Sequence, residues 1–197
     1  MGVRHIVALR GDPPGAQGGA YAGRADGYAN ATELTAALSK IAPFEVSVGV
    51  YPEIHPESPS ATHDIEVLKA KVDAGATRAI SQFFFDVDGF LKWADQVRKA
   101  GVTIPIVPGV MPVTNFSGLR RMAAPCGIAV PDWLANLFEG LDEDPETRRL
   151  VAGSVAAEMC AKLEEEGFDE FHFYTLNRAE LTLAICRILG IRAEAAA

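Results

Sequence analysis

Arg10-Gly11-Asp12 places a cation and an anion on either side of a glycine, directly after the apolar run His5-Ile6-Val7-Ala8-Leu9 and ahead of Pro13-Pro14. A run of this kind, stopped by Gly and by a proline pair that cannot continue a ladder, predicts a buried parallel strand. Charges at the carboxyl end of such a strand stand where α/β folds keep their ligand chemistry. Further along, Tyr51-Pro52-Glu53-Ile54-His55-Pro56-Glu57 sets polar groups between prolines that hold the backbone extended. Gln82 puts an amide next to Phe83-Phe84-Phe85. Buried there, it must find partners, and a bound ring with donor and acceptor edges would supply them. Pro108-Gly109-Val110-Met111-Pro112 and Thr175-Leu176-Asn177-Arg178 close two more apolar runs. Together these residues describe a polar small-molecule site, nearly balanced in charge.

Each residue also has a plainer reading. Asp12 can cap a turn before Pro13, and His55 can be an ordinary loop histidine. Lys69 and Lys71 read as solvated lysines early on a helix, and Asp64 as an acid that favours that helix's N-terminus. Phe83, Phe84 and Phe85 read mostly as core, with one facing the site. The acidic stretch Leu141-Asp142-Glu143-Asp144-Pro145-Glu146 reads as a solvated helix start. No metal is expected, because His5, His55, His63 and His172 lack the i, i+4 pairing with carboxylates that hydrolytic sites use.

The chain of 197 residues, 49% hydrophobic and 22% charged, can bury a sizeable core and is expected to form one domain over 1–197. A net charge of −8 argues against a nucleic-acid groove, since clustered Lys and Arg are missing. Cys126, Cys160 and Cys186 are far apart and odd in number, which fits free thiols on helix faces in a reducing cytosol. Neither a signal peptide nor an apolar run of the ~20 residues needed for a membrane span is visible, so a soluble cytoplasmic protein is expected.

The elements that must position the polar residues follow a rhythm. Segments 5–10, 46–51, 79–85, 105–110 and 170–176 read as strands. Segments 31–41, 64–74, 87–100 and 178–189 read as helices, and 116–166 as several, opened at Pro131 and Pro145. Gly75, Gly101 and Gly167 stand where helices end. Strand and helix alternating five times call for a parallel sheet with right-handed crossovers. A doubly wound nucleotide-binding sheet should open with a Gly-rich turn, and Gly11-Asp12-Pro13-Pro14-Gly15 is not one. The expected fold is therefore a TIM-barrel-derived (β/α)8 architecture with about five βα units present and the N-terminal units missing, since closure takes eight strands in ~250 residues. Residues 15–27 read as a surface loop, not a linker, because the rhythm continues across them.

Six motifs in register carry a resemblance: Leu9-Arg10-Gly11-Asp12-Pro13-Pro14, the segment from Tyr51 to Glu57, Lys71-Val72-Asp73-Ala74-Gly75-Ala76, Gln82-Phe83-Phe84-Phe85-Asp86, the segment from Pro108 to Pro112, and His172-Phe173-Tyr174-Thr175-Leu176-Asn177-Arg178. From about His5 to Arg192 the chain resembles the flavin-dependent 5,10-methylenetetrahydrofolate reductases, from the fourth strand of their catalytic barrel onward. The resemblance implies FAD as cofactor and NAD(P)H and methylenetetrahydrofolate as partners, used in turn over one flavin face. Carried over by position, Arg10, Gly11, Asp12, Tyr28, Ala29, Tyr51, His55, Asp64 and Lys71 match FAD contacts. Lys71 is expected at the pyrophosphate, where a cation offsets phosphate charge. Asp12, Gln82 and Arg178 match folate contacts, with Asp12 as the catalytic candidate between flavin and pterin and Arg178 suited to glutamyl carboxylates.

The chain departs from the family at Val67, where relatives often carry an amide, and at Gly118 and Met122, where a Gln and a Phe are expected. No Glu here matches the family's general acid, which belongs to segments ahead of the fourth strand. Poor FAD binding and impaired folate reduction by the chain alone are expected, because an open five-strand sheet exposes edges and apolar surface, with a non-catalytic, barrel-derived binding or self-association module, and hence a homo-oligomer, as the alternative. An aldolase-type enzyme is disfavoured for want of a strand-end Lys in a Schiff-base setting.

Overall fold

The computed structural model describes residues 2–11 and 23–192. Among them are five strands, all in one sheet of order β1-β2-β3-β4-β5, and seven helices. Neighbours in sequence are neighbours in the sheet, with no reversal of order of the kind that marks a doubly wound fold. The arrangement is that of the barrel-derived class: β1 (His5–Ala8), α1 (Ala31–Ile41), β2 (Glu45–Val50), α2 (Ala61–Asp73), β3 (Arg78–Phe83), α3 (Val87–Lys99), β4 (Ile106–Val110), then α4 (Phe116–Ala123), α5 (Asp132–Phe138), α6 (Pro145–Glu165), β5 (His172–Phe173) and α7 (Ala179–Ile188).

Two compact units divide these elements. The first comprises Met1–Gln82, Asp88–Val107 and Pro125–Gly127. There β1 pairs in parallel with β2, Ala8 opposite Val48, and β2 pairs with β3, Val50 opposite Ser81. β2 alternates strictly, burying Val46, Val48 and Val50 while Ser47 and Gly49 face the other way, as a pleated strand with one packed face requires. Asn30 caps α1 by accepting from Glu33 N–H, and the Glu33 carboxylate accepts from Ala29 N–H, a capping-box pattern displaced by one residue. Ser60 caps α2 in the same way through His63 N–H. Gly75 ends α2 at φ 109°, and a Cβ there would lie 2.2 Å from Ser39 Oγ, so both backbone and packing demand glycine.

The second unit comprises Phe83–Val87, Pro108–Ala124 and Ile128–Ala197. Gly109 and Val110 of β4 pair in parallel with His172 and Phe173 of β5. Between these strands lie three helices, as the length of that segment predicts. Pro145 occupies the first turn of α6, whereas Pro131 is the N-cap of α5. Arg148 secures the start of α6 by donating to three carbonyls, those of Thr114, Leu141 and Asp142, at 2.7–3.0 Å. The core gathers Val110, Ala156, Ala157, Cys160 and Ile185, with Phe171, Phe173, Leu181 and Leu189 packed around it.

Four expectations need correction. β1 is not buried: Val7 is 54% exposed and Leu9 58%, because among the described residues β1 is an end strand of the sheet and only Ala8 is fully covered. Lys71 lies in the last turn of α2, not early in it, since Ser60 caps that helix at Ala61. All three phenylalanines Phe83, Phe84 and Phe85 are core, at most 2% exposed. Cys126 sits in the turn between α4 and α5 and not on a helix face. Among the described residues, no helix is long and apolar enough to cross a membrane.

Candidate functional site

In the first unit the carboxyl ends of β1 and β2 meet the loop 51–60 that leads into α2. Arg10, the second residue after β1, pairs through Nη1 with the Glu57 carboxylate. Glu57 N–H in turn donates to His55 Nδ1 at 3.1 Å, which leaves His55 Nε2 to carry the ring proton. His55 N–H donates to Asp64 Oδ2 at 3.0 Å, joining the loop to the first turn of α2. The acid at that helix start thus ties down a loop as well as facing the helix dipole.

Seven residues after Asp64 on the same helix, Lys71 donates from Nζ to the Gly49 carbonyl of β2 at 2.8 Å. Burial pulls the Lys71 ammonium below the ordinary lysine range, Asp64 opposes that shift, and the Arg10 guanidinium adds to it. Two cations therefore act on each other in the space above β1 and β2. Glu57 and Asp64 offset them, and the Glu57 carboxyl lies below its usual range chiefly because Arg10 donates to it.

Tyr51 and His55 pack edge to face, with ring centroids 4.5 Å apart. The Tyr51 hydroxyl accepts from Gln82 Nε2 at 3.4 Å, so the strand amide has a partner inside the protein. β3 alternates with Ala79, Ser81 and Phe83 buried, which turns Gln82 to the opposite face, away from the phenylalanine beside it.

Of the residues singled out from the sequence, the structure brings together Arg10, Tyr51, His55, Asp64, Lys71 and Gln82 through these contacts. Gly11, at φ 76°, continues from Arg10 in the conformation glycine favours. Tyr28 and Ala29 are exposed and belong to the N-terminal approach to α1, where Ala29 N–H is held by Glu33. Asp12 lies outside the described residues, as does most of the loop 15–27. In the second unit, Arg178 is the exposed N-cap of α7. It closes a turn in which its N–H donates to Thr175 O at 2.9 Å, with Leu176 and Asn177 both left-handed, at φ 48° and 61°.

Sequence reasoning missed Glu57 as the partner of Arg10. The signal was faint, a second acid two residues beyond His55. It also missed Gly127, at φ 68°, where a Cβ would lie 3.3 Å from Ile54 O and 3.4 Å from Pro56 Cγ. Nothing local to Gly127 announces that the 51–60 loop packs against it.

A parallel βα-repeat fold of the barrel-derived class, with charged side chains gathered at its strand ends, is the setting these contacts define. The family model for methylenetetrahydrofolate reductase matches residues 1–190, and the chain belongs to that family. It is 50% identical over 195 residues to the 5,10-methylenetetrahydrofolate reductase of Pectobacterium carotovorum, covering 99% of this chain and 63% of that protein. To the enzyme of the same name from Escherichia coli it is 49% identical over 192 residues, covering 97% of this chain and 62% of the relative. A rice protein named probable methylenetetrahydrofolate reductase (NADH) is 36% identical over 204 residues, 98% of this chain and 34% of its own length. The chain thus spans less than two thirds of the length of these relatives. Among solved structures, an uncharacterised protein from Clostridium thermocellum, described as binding two copies of 5-methyl-5,6,7,8-tetrahydrofolic acid, matches with a TM-score of 0.53 at 15% identity, over 84% of this chain and 60% of that one. That likeness concerns the fold alone.

Proposed function

We propose that this chain carries part of the cofactor and substrate surface of a flavin-dependent reductase that converts 5,10-methylenetetrahydrofolate to 5-methyltetrahydrofolate with NAD(P)H. Family membership supports the reaction. The observation that carries the site is the chain of contacts from Arg10 through Glu57 and His55 to Asp64, on the helix whose Lys71 donates to Gly49 O above β2. Two partly buried cations, Arg10 and Lys71, joined to this network suit a ligand that brings anionic charge to them, and the diphosphate of FAD does so. Bound FAD would supply the two-electron carrier between the nicotinamide and the folate.

The chain's own residues then take these roles. Arg10 and Lys71 hold the diphosphate, and Gly11 lets the backbone approach the ligand closely. Tyr51 and His55 present an aromatic edge, oriented by Asp64 and by the Gln82 contact. Tyr28 and Ala29 bound the cofactor at the start of α1. Gln82 offers an amide to the pterin, and Arg178 offers a planar donor fork to glutamyl carboxylates. Asp12 is assigned to the pterin side of the flavin by its place in the Arg10-Gly11-Asp12 motif, as the residue that orients the folate ring.

The test is flavin binding followed by turnover. The purified chain, titrated with FAD, should bind it weakly through this partial surface, and Arg10→Gln or Lys71→Met should weaken that binding about tenfold while far-UV circular dichroism stays unchanged. Formation of 5-methyltetrahydrofolate from NADH or NADPH, followed by mass spectrometry, then tests the reaction. An FAD affinity that neither variant changes would refute the site assignment.

A further inference from the structure

We propose that Glu57 is a positioning residue, whose carboxylate, carried on a fixed backbone, aims the Arg10 guanidinium at the diphosphate of the bound dinucleotide. The inference rests on the flavin-site reading above. The alternative is that Glu57 competes with phosphate for Arg10, and the two roles predict opposite effects of removing its charge.

The local structure favours positioning, because the Glu57 backbone is anchored independently of Arg10. Its own N–H is held by His55 Nδ1, and His55 N–H by Asp64. Ser58 N–H donates to His55 O at 2.8 Å, and Ser58 Oγ donates to Ser60 O at 3.0 Å. From the other side Gly127, at φ 68° where glycine is favoured, lies close against Ile54 O and Pro56. Glu57 thus sits on a loop tied down along its length, between Ile54 and Asp64.

Arg10, by contrast, follows the end strand β1 and reaches Glu57 with a long, rotamer-rich side chain. An acceptor on a tied-down loop narrows the arrangements of that side chain before any ligand arrives, so less freedom is lost on binding. Glu57 also offsets the repulsion between Arg10 and Lys71. Without its charge the guanidinium gains by turning away from the ammonium, and so away from the place where a diphosphate would bridge both.

Flavin fluorescence titrations with FAD and with riboflavin separate the possibilities, because riboflavin has the ring but no diphosphate. Glu57→Gln should weaken FAD binding about tenfold and leave riboflavin unchanged, the scale of one misplaced charge-assisted contact. Glu57→Asp, which keeps the charge on a shorter stem, should recover part of the loss. In an Arg10→Gln background, Glu57→Gln should cost nothing further. Unchanged or tighter FAD binding by Glu57→Gln overturns the proposal in favour of competition. An equal loss for riboflavin overturns it in favour of general loop damage. Wild-type protein that does not prefer FAD to riboflavin refutes the diphosphate reading itself, and the role of Glu57 with it.

Discussion

The Lys71 ammonium donates to the Gly49 carbonyl at 2.8 Å, anchoring the last turn of α2 to the fifth residue of β2. One hydrogen bond does not compensate for the surroundings. Burial and the nearby Arg10 both disfavour the charge, and only Asp64 supports it. Because the charged form is less welcome in the folded chain than in the unfolded one, the unfolded chain binds that proton more tightly. Stability attributable to Lys71 therefore rises as pH climbs from its lowered folded value toward the ordinary 10.5, and at neutral pH the residue is a cost.

Lys71→Met keeps most of the side-chain volume and removes the buried charge. Melting temperature at neutral pH should rise by about 2–4 °C, the shift expected for about 1 kcal/mol in a chain of this size. FAD binding should weaken in the same variant. A fall in melting temperature would mean that the bond to Gly49 outweighs the burial cost. Differential scanning calorimetry of the two proteins decides.

The turn from Thr175 to Arg178 gives a second prediction. Both central residues have positive φ and the closing hydrogen bond is 2.9 Å, the pattern of a type I′ turn, in which Asn and Gly are usual and Leu is not. Leu176 is 56% exposed, so packing within the described residues does little to offset a left-handed cost of about 1–2 kcal/mol. Leu176→Gly should raise the melting temperature by about 2–4 °C, and Leu176→Val, with its branched Cβ, should lower it. No change in either variant would show that the turn relaxes freely.

Much of the fold was legible because its signals are local. Continuous or alternating apolar runs located all five strands, and Gly75, Gly101 and Gly167, at φ of 109°, 92° and 88°, ended helices where the sequence placed them. The exposure of β1 was not legible. An apolar run such as Ile6-Val7-Ala8-Leu9 reads as buried whatever its neighbours are, and whether a strand is central or terminal depends on pairing far along the chain. The site divides in the same way. Arg10, His55 and Asp64 announce themselves by type and position, whereas the ion pair of Arg10 with Glu57 spans 47 residues and has no spacing rule. Lys71 was misplaced along its helix because the cap at Ser60, four residues ahead of the expected start at Asp64, was not recognised.

His172 bears on acid stability. The half-buried imidazole begins β5 and packs edge to face against Tyr174 at 4.9 Å, and burial holds it below its ordinary value of 6.5. The unfolded chain thus takes up this proton first as pH falls. Stability contributed by neutral His172 is intact above 6.5 and is lost progressively as pH drops through the lowered folded value. His172→Gln should flatten the dependence of melting temperature on pH just below 6.5. An unchanged slope would assign that acid sensitivity to other groups.

The last prediction concerns the end strand. Val3, Val7 and Leu9 alternate along the N-terminal segment with 54–60% of their surface exposed, and among the described residues no strand pairs with the outer edge of β1. An apolar strand with a free edge is a template for pairing with another chain, and natural proteins blunt such edges with lysine. Val7→Lys places a charge on this exposed face, opposite Ser47 in the register, without touching buried Ala8. Light scattering at rising concentration should show less association for Val7→Lys than for the native chain, with unchanged circular dichroism. Equal association of the two would place self-contact elsewhere, and Leu183 and Ile188 on α7, 59% and 65% exposed, would be the next positions to charge.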